Sequence, residues 1–270
     1  IGSGCVINPQ HFFAELESLR QAGIDTSLVK VANNCHIITN DHLSEDNKDQ
    51  KIGTTKKGNG PAYRNKYNRT GIQARDALEL QPFIIDLYEE FFNNENDVKI
   101  LCEGAQGFEL DIDWGDYPYV TSSHCTAASA LLNSIPAHAV RNIWGVGKVY
   151  DTYVGTKSFE PNDEVFNKIR EIGEEYGATT GRNRQCNWLD INRLIKSINI
   201  NGITHLVLNK VDVLEELGVH ALYDQERTLK FDDGADMRAY ILGRLETPDI
   251  LHELQEIYFS GNKNNLNMPS

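Results

Sequence analysis

The chemistry-bearing residues of this chain gather in a few short stretches. From Lys51 to Gly71, KIGTTKKGNGPAYRNKYNRTG, the chain carries four glycines, adjacent Thr54 and Thr55, and six cations without one acid. With 26 Lys+Arg against 39 Asp+Glu overall, that local reversal of sign needs a cause. Glycines let backbone N–H groups turn toward a ligand, hydroxyls add donors and cations balance charge, so the stretch has the makings of a phosphate site. The plain alternative is a solvated basic loop.

Asn209-Lys210-Val211-Asp212 follows the apolar run from His205 to Leu208. An aspartate here can accept both the N1–H and the 2-amino group of guanine while the lysine stem stacks along the base. Adenine has no N1–H to offer. Four-residue matches also recur by chance. In Thr179-Thr180-Gly181-Arg182-Asn183-Arg184, two arginines on a glycine loop can clamp a dicarboxylate through paired hydrogen bonds, or form an exposed basic turn. Gln106 sits after an apolar run with Thr121-Ser122-Ser123 downstream; its neutral amide can polarise a carbonyl, or be a buried, satisfied glutamine. Asp111 and Asp113 can be paired carboxylates, Mg²⁺ ligands or a solvated turn. The eight histidines show no metal-ligand spacing and are assigned no catalytic role.

Composition narrows the class. A formal charge of −13 argues against a general binder of nucleic acid or anionic membrane. No apolar run approaches the ~20 residues needed to span a bilayer. Five scattered cysteines without a CxxC read as thiols of a reducing cytoplasm. At 270 residues and 40% apolar content the chain can bury a sizeable core. It opens at Ile1 in what reads as mid-domain sequence, so a preceding segment is expected to be missing.

Strands alternate with helices along the chain, which predicts an α/β fold: a mostly parallel central sheet with helices on both faces, in a single domain over 1–270. Helices are expected at 12–22, 41–50, 74–93, 126–132, 164–176, 191–198 and 249–256. Strands are expected at 28–39, 97–102, 142–150, 205–208 and 257–259, with a hairpin over 223–231. The strand at 97–102 would deliver Gln106 to the carboxyl edge of the sheet, where α/β proteins place their chemistry.

Taken in order, the segments IGSGCVINP, IGTTKKGNGPAY with Arg69, EGAQGFELDIDWGDYPYVTSS, Tyr153-Val154-Gly155, YGATTGRNRQCNWLD, NKVDVL and the terminal Ser260-Gly261 resemble the adenylosuccinate synthetase family across nearly the whole chain. The resemblance implies a fold related to the P-loop NTPases. It implies a ligase joining L-aspartate to the 6-position of a purine nucleoside monophosphate through a 6-phosphoryl intermediate, with Mg²⁺ and GTP or ATP/dATP as phosphate donor. Thr55 and Thr121 would bind the acceptor's 5′-phosphate, Arg69 would reach it across a homodimer interface, and Gln106 would sit at the purine 6-oxygen. Thr180, Arg182 and Arg184 would hold aspartate; Asn209, Lys210 and Asp212, with Ser260 and Gly261, would take the triphosphate's base. The family's catalytic aspartate and histidine would precede Ile1.

Several residues depart from the family pattern. Lys56-Lys57 replace a Gly-Arg pair, Asn183 and Gln185 stand in place of arginines, and 156–161 replace a glycine-proline-phenylalanine-proline run. These departures fall on the expected nucleotide and aspartate walls and resemble the phage branch of the family, which joins aspartate to dGMP. On sequence alone dGMP is preferred narrowly over IMP. The competing readings are a non-catalytic nucleotide-binding protein and a GTPase-like switch resting on NKVD.

Overall fold

The computed structural model describes residues 1–48, 53, 55–93, 98–177 and 181–261. Contacts group into two compact units, Ile1–Ala139 and Val140–Ser270.

In the first unit, strand β1 (Val6–Ile7) pairs in parallel with β3 (His36–Ile37), and β2 (Val31–Ala32) with β4 (Ile84–Ile85). Helix α1 (Pro9–Gln21) starts where Asn8 accepts the His11 N–H and Pro9 supplies a preset φ. Its Phe12 and Leu16 pack with Val31, Ala32, Ile37 and Leu80 in one core. Helices α2 (Asn40–Lys48) and α3 (Asn59–Asn68) flank the basic stretch, and the unit also holds the short helices α4 (Leu87–Phe92) and α5 (Ala128–Leu132). The helix expected over 74–93 is broken into two 3-10 turns, β4 and α4. Pro82 has no N–H to donate and its ring crowds the preceding turn, while Asp86 caps a fresh helix through the Tyr88 and Glu89 N–H groups.

The strand expected at 97–102 is absent over its described residues, 98–102. Val98, Ile100 and Leu101 are exposed, Leu101 at 90%. An apolar run becomes a strand only where a neighbour supplies ladder partners, and no described strand pairs with it.

In the second unit, β5 (Trp144–Lys148), β8 (His205–Asn209) and β11 (Glu256–Phe259) form an all-parallel sheet with β8 central. A second sheet runs β10 (Arg227–Phe231), β9 (His220–Asp224), β7 (Gln185–Asp190), β6 (Tyr150–Tyr153); β7 and β9 are parallel and the outer pairs antiparallel. The mostly parallel α/β expectation holds. Helices α6 (Glu164–Ile172), α7 (Ile191–Asn201), α8 (Val211–Leu217) and α9 (Gly234–Leu245) pack against these strands and one another. The helix expected at 249–256 is not formed; α9 lies upstream, with Asp233 capping the Asp236 N–H and Met237, Ile241 and Leu245 buried one turn apart. Among the described residues no helix is long and apolar enough to cross a membrane.

Candidate functional site

At the carboxyl end of β8 the structure brings together all five residues expected around the triphosphate's base. The Asn209 side chain accepts from the Ser260 hydroxyl, and the Val211 N–H donates to Ser260 O at 3.2 Å. Ser260 N–H in turn reaches Leu208 O at 2.9 Å, continuing the β8–β11 ladder one residue beyond the strand. Gly261 lies close against Asp212: a Cβ on it would stand 2.9 Å from Asp212 Cγ and would make that side chain shift. Lys210 has φ +67°, a left-handed conformation that side chains rarely adopt, and opens α8 as its N-cap. Its ammonium donates to Gly173 O at 2.9 Å, just beyond α6. Strain of this kind is retained where the surrounding structure demands it and is enriched at functional turns.

Around the arginines the chain forms a narrow hairpin. Tyr176 and Asn183 bridge, Gly177 N–H donates to Arg182 O at 2.8 Å, and Arg184 N–H to Glu175 O at 2.9 Å. Thr180 lies outside the described residues, and Arg182 is exposed near the tip. Arg184 is half-buried, and its Nη1 donates to Glu175 Oε2 at 2.8 Å. That carboxylate, 1% exposed, also accepts from Lys148 Nζ at 2.7 and 2.8 Å and from the Tyr150 hydroxyl at 2.7 Å. Burial alone would push Glu175 up, but the Lys148, Tyr150 and Arg184 donors outweigh it and hold the carboxyl below its usual range.

Two departures from the family pattern prove to be one device. The Gln185 amide oxygen accepts from the Phe159 and Glu160 N–H groups at 2.9 and 3.2 Å. Its nitrogen donates to Gly155 O and Lys157 O at 3.2 and 2.8 Å. The segment that replaces the glycine-proline run is therefore folded around the residue that replaces an arginine.

In the first unit the basic loop is shaped by its backbone. Gly58 has φ +77°, and a Cβ there would lie 2.8 Å from Ile38 Cγ2. Its N–H donates to the buried Asp46 carboxylate at 2.7 Å. It is also the N-cap of α3 and has no side chain to cap the first turn. A Cβ on Gly60 would stand 3.2 Å from Ser122 Oγ, so the Ser122 hydroxyl lies beside the start of α3. Thr55 and Arg69 are exposed, Arg69 with φ +62° at the C-cap of the same helix. Lys56 takes φ +60° where the family resemblance expects glycine, and its ammonium donates to Asp46 O and Asn47 O at 3.1 and 3.4 Å in the last turn of α2. Lys56 thus caps a helix C-terminus.

Gln106 is exposed with φ +72°, in a non-strand segment. Thr121 is held by its N–H to Leu110 O at 2.9 Å, in a loop that closes around Asp111. Asp111, 0% exposed, accepts from Asp113, Trp114 and Cys125 N–H groups at 2.9, 3.2 and 2.6 Å. Burial would raise its carboxyl, but these backbone donors hold it below the usual carboxylate range. Asp111, Asp113 and His124 bring ligating atoms within 4.8 Å of one another. They do not fit Mg²⁺: Mg²⁺ wants oxygen ligands in a near-octahedral set, both Asp111 oxygens are committed to backbone N–H groups, and His124 offers nitrogen. Of the readings left open for Asp111 and Asp113, the turn is the one formed, with the Asp111 carboxylate buried where it closes the loop.

Sequence reasoning missed Asp111 as the post that holds the Thr121 loop, and Glu175. A buried acid among lysine, tyrosine and arginine leaves no local signal, because its partners come from 27, 25 and 9 residues away.

Comparison with known proteins places this geometry. The fold is shared with the fully ligated adenylosuccinate synthetase from Plasmodium falciparum at a TM-score of 0.81 and 27% identity, over 95% of this chain and 81% of that one. It is shared too with the cyanophage S-2L succinoaminodeoxyadenylate synthetase bound to dGMP and dATP, at a TM-score of 0.66 over 90% and 79% of the two chains. Identity there is 18%, so that likeness speaks for the fold. These neighbours define the fold as α/β of the adenylosuccinate synthetase type. A family model described as adenylosuccinate synthetase matches residues 1–90 and 77–230. Adenylosuccinate synthetases of Lysinibacillus sphaericus and Geobacillus kaustophilus are 37% and 36% identical, over 80% and 79% of this chain. The chain belongs to the adenylosuccinate synthetase family. It spans 63% and 62% of the length of those two relatives.

Proposed function

We propose that the complete protein is a carbon–nitrogen ligase that joins L-aspartate to the 6-position of IMP at the expense of GTP. The observation that carries the donor half is the β8–β11 edge, where Gly261 is forced against Asp212 and Ser260 is bonded to Asn209. An aspartate carboxylate offers two acceptor oxygens, the number needed for the paired donors of guanine. The acceptor is drawn from the relatives: the 36–37% identical proteins are adenylosuccinate synthetases, whereas the dGMP-bound neighbour is only 18% identical. The preference for dGMP also loses one support, since Lys56 is accounted for by capping α2.

In this reading Thr55 and Thr121 take the 5′-phosphate, with Arg69 supplied across a homodimer. Gln106 donates to the 6-oxygen, which receives the γ-phosphoryl group. The aspartate amine then displaces phosphate while Thr180, Arg182 and Arg184 hold its carboxylates, so fixed positioning supplies much of the acceleration. Mg²⁺ accompanies the triphosphate, and no described side chain is assigned as its ligand.

The test supplies the complete protein with aspartate, Mg²⁺, GTP or ATP, and IMP or dGMP, and reads succinylated nucleotide by mass spectrometry. Adenylosuccinate from IMP with GTP is the expected product. Product from dGMP alone moves the protein to the phage-type acceptor, and no product from any combination removes the ligase reading.

A further inference from the structure

Apart from Arg184, a proposed aspartate ligand, the buried charge cluster of the second unit has no part in the chemistry outlined above. Glu175 and Arg184 face each other across the hairpin stem and are joined twice: Arg184 N–H donates to Glu175 O at 2.9 Å, and Arg184 Nη1 donates to Glu175 Oε2 at 2.8 Å. The stem is itself anchored to α6. Glu175 N–H donates to Arg170 O at 2.9 Å, and Arg170 Nε donates to Arg184 O at 2.7 Å. On the other side, Oε1 takes the Tyr150 hydroxyl while Lys148 Nζ straddles both oxygens. Lys148 closes the β5 end, as its ammonium also donates to Thr152 Oγ1 at 3.1 Å.

A bare stem would need only the backbone ladder. A carboxylate that is 1% exposed is costly to bury and persists where its donors are fixed around it. Here Oε1 takes the Tyr150 hydroxyl, Oε2 reaches the guanidinium, and the Lys148 ammonium bridges the two oxygens. Arginine recognises a carboxylate through a rigid planar fork, so its value as a clamp depends on the plane being set before the ligand arrives.

We propose that Glu175 is a positioning residue of the aspartate subsite, fixing the guanidinium plane of Arg184 with Lys148 as its balancing cation. This rests on the ligase reading given above. Glu175 touches no substrate; it acts through Arg184.

The test compares wild type, Glu175→Gln, Glu175→Asp, Arg184→Leu and the Glu175→Gln/Arg184→Leu double variant in the complete protein. Glu175→Gln is expected to raise the KM for aspartate about tenfold, with kcat and both nucleotide KM values within about twofold, as for loss of one charge-assisted contact. In the Arg184→Leu background the same change should add nothing, because the residue through which it acts is gone. Phenylglyoxal modification of Arg184, followed by mass spectrometry, should accelerate several-fold in Glu175→Gln. Glu175→Asp keeps the charge and should return part of the aspartate affinity; it also serves should the glutamine variant fail to fold. An aspartate KM within twofold of wild type, an equal rise in all three KM values, or full additivity in the double variant would overturn the positioning role while leaving the ligase intact. A wild type that forms no succinylated nucleotide removes the function and the subsite together.

Discussion

The basic loop of the first unit and the arginine hairpin of the second both carry cations and are both proposed to take an anionic ligand, but they are shaped by opposite means. The loop takes its form from backbone: Gly58 in a left-handed turn pressed on Ile38, Lys56 in the same region of conformation, and an N–H bound to Asp46. Its ligand-facing candidates Thr55 and Arg69 stand exposed. The hairpin takes its form from side chains, with a buried carboxylate gripping Lys148, Tyr150 and Arg184. A site of the first kind should tolerate side-chain removal and fail on backbone change. A site of the second kind should behave the other way.

The sharpest way to break that contrast is Gly58→Val. A β-branched residue at φ +77° with its Cβ 2.8 Å from Ile38 combines strain and overpacking, and is expected to remove about 3 kcal/mol or more from stability, read as a urea midpoint. An unchanged midpoint would show that the loop does not depend on its backbone. Next is Arg184→Leu, which leaves Glu175 with Lys148 and Tyr150 alone. The expected loss is about 2 kcal/mol, below the range for a fully buried pair because the Arg184 side chain is 31% exposed.

Acid should separate the two units as well. His36 and His42 are depressed by burial below the usual 6.5, with Lys66 and Arg64 respectively adding to the effect. The unfolded chain therefore takes up protons that the folded one refuses. Their contribution is complete above about pH 6.5 and falls as pH drops below it. Glu175 lies below its usual 4.5, so its contribution is intact above that value and is lost only as pH falls through its folded pKa. Hydrogen exchange, corrected for intrinsic rates, should show the first unit loosening between pH 6.5 and 4.5 while the amides around Glu175 stay protected. The smallest effect is expected from Lys56→Gly, which relieves a left-handed side chain but gives up a helix cap. Stability should stay within about 1 kcal/mol, with the KM for the monophosphate unchanged. A large KM rise would return Lys56 to the nucleotide wall.

Much of this was legible in the sequence where signals are local. The run at 205–208 ending in Asn209 to Asp212, and the strand ending in Ser260-Gly261, were readable as strands with polar tips, and the two tips meet. The turn Gln225-Glu226 joins β9 and β10 with positive φ at both residues, the hairpin geometry expected there. Pairing is not local, however. Val98 to Cys102 has a strand's composition and no described partner, so the pattern misled. Helix α9 did carry a sequence signal, a capping Asp233 followed by Met237, Ile241 and Leu245, which the shorter apolar run near 250 obscured. Glu175 was illegible because its meaning lies in residues on two other strands.

The order of strands in the three-membered sheet bears on how this protein is made. β8 stands between β5, which leaves the ribosome some sixty residues earlier, and β11, which follows some fifty later. Until Glu256–Phe259 has emerged, one edge of β8 is bare and the Asn209–Ser260 clasp has no second half. The nascent chain thus carries a half-paired central strand for about fifty residues of synthesis, and the clasp closes only when β11 follows.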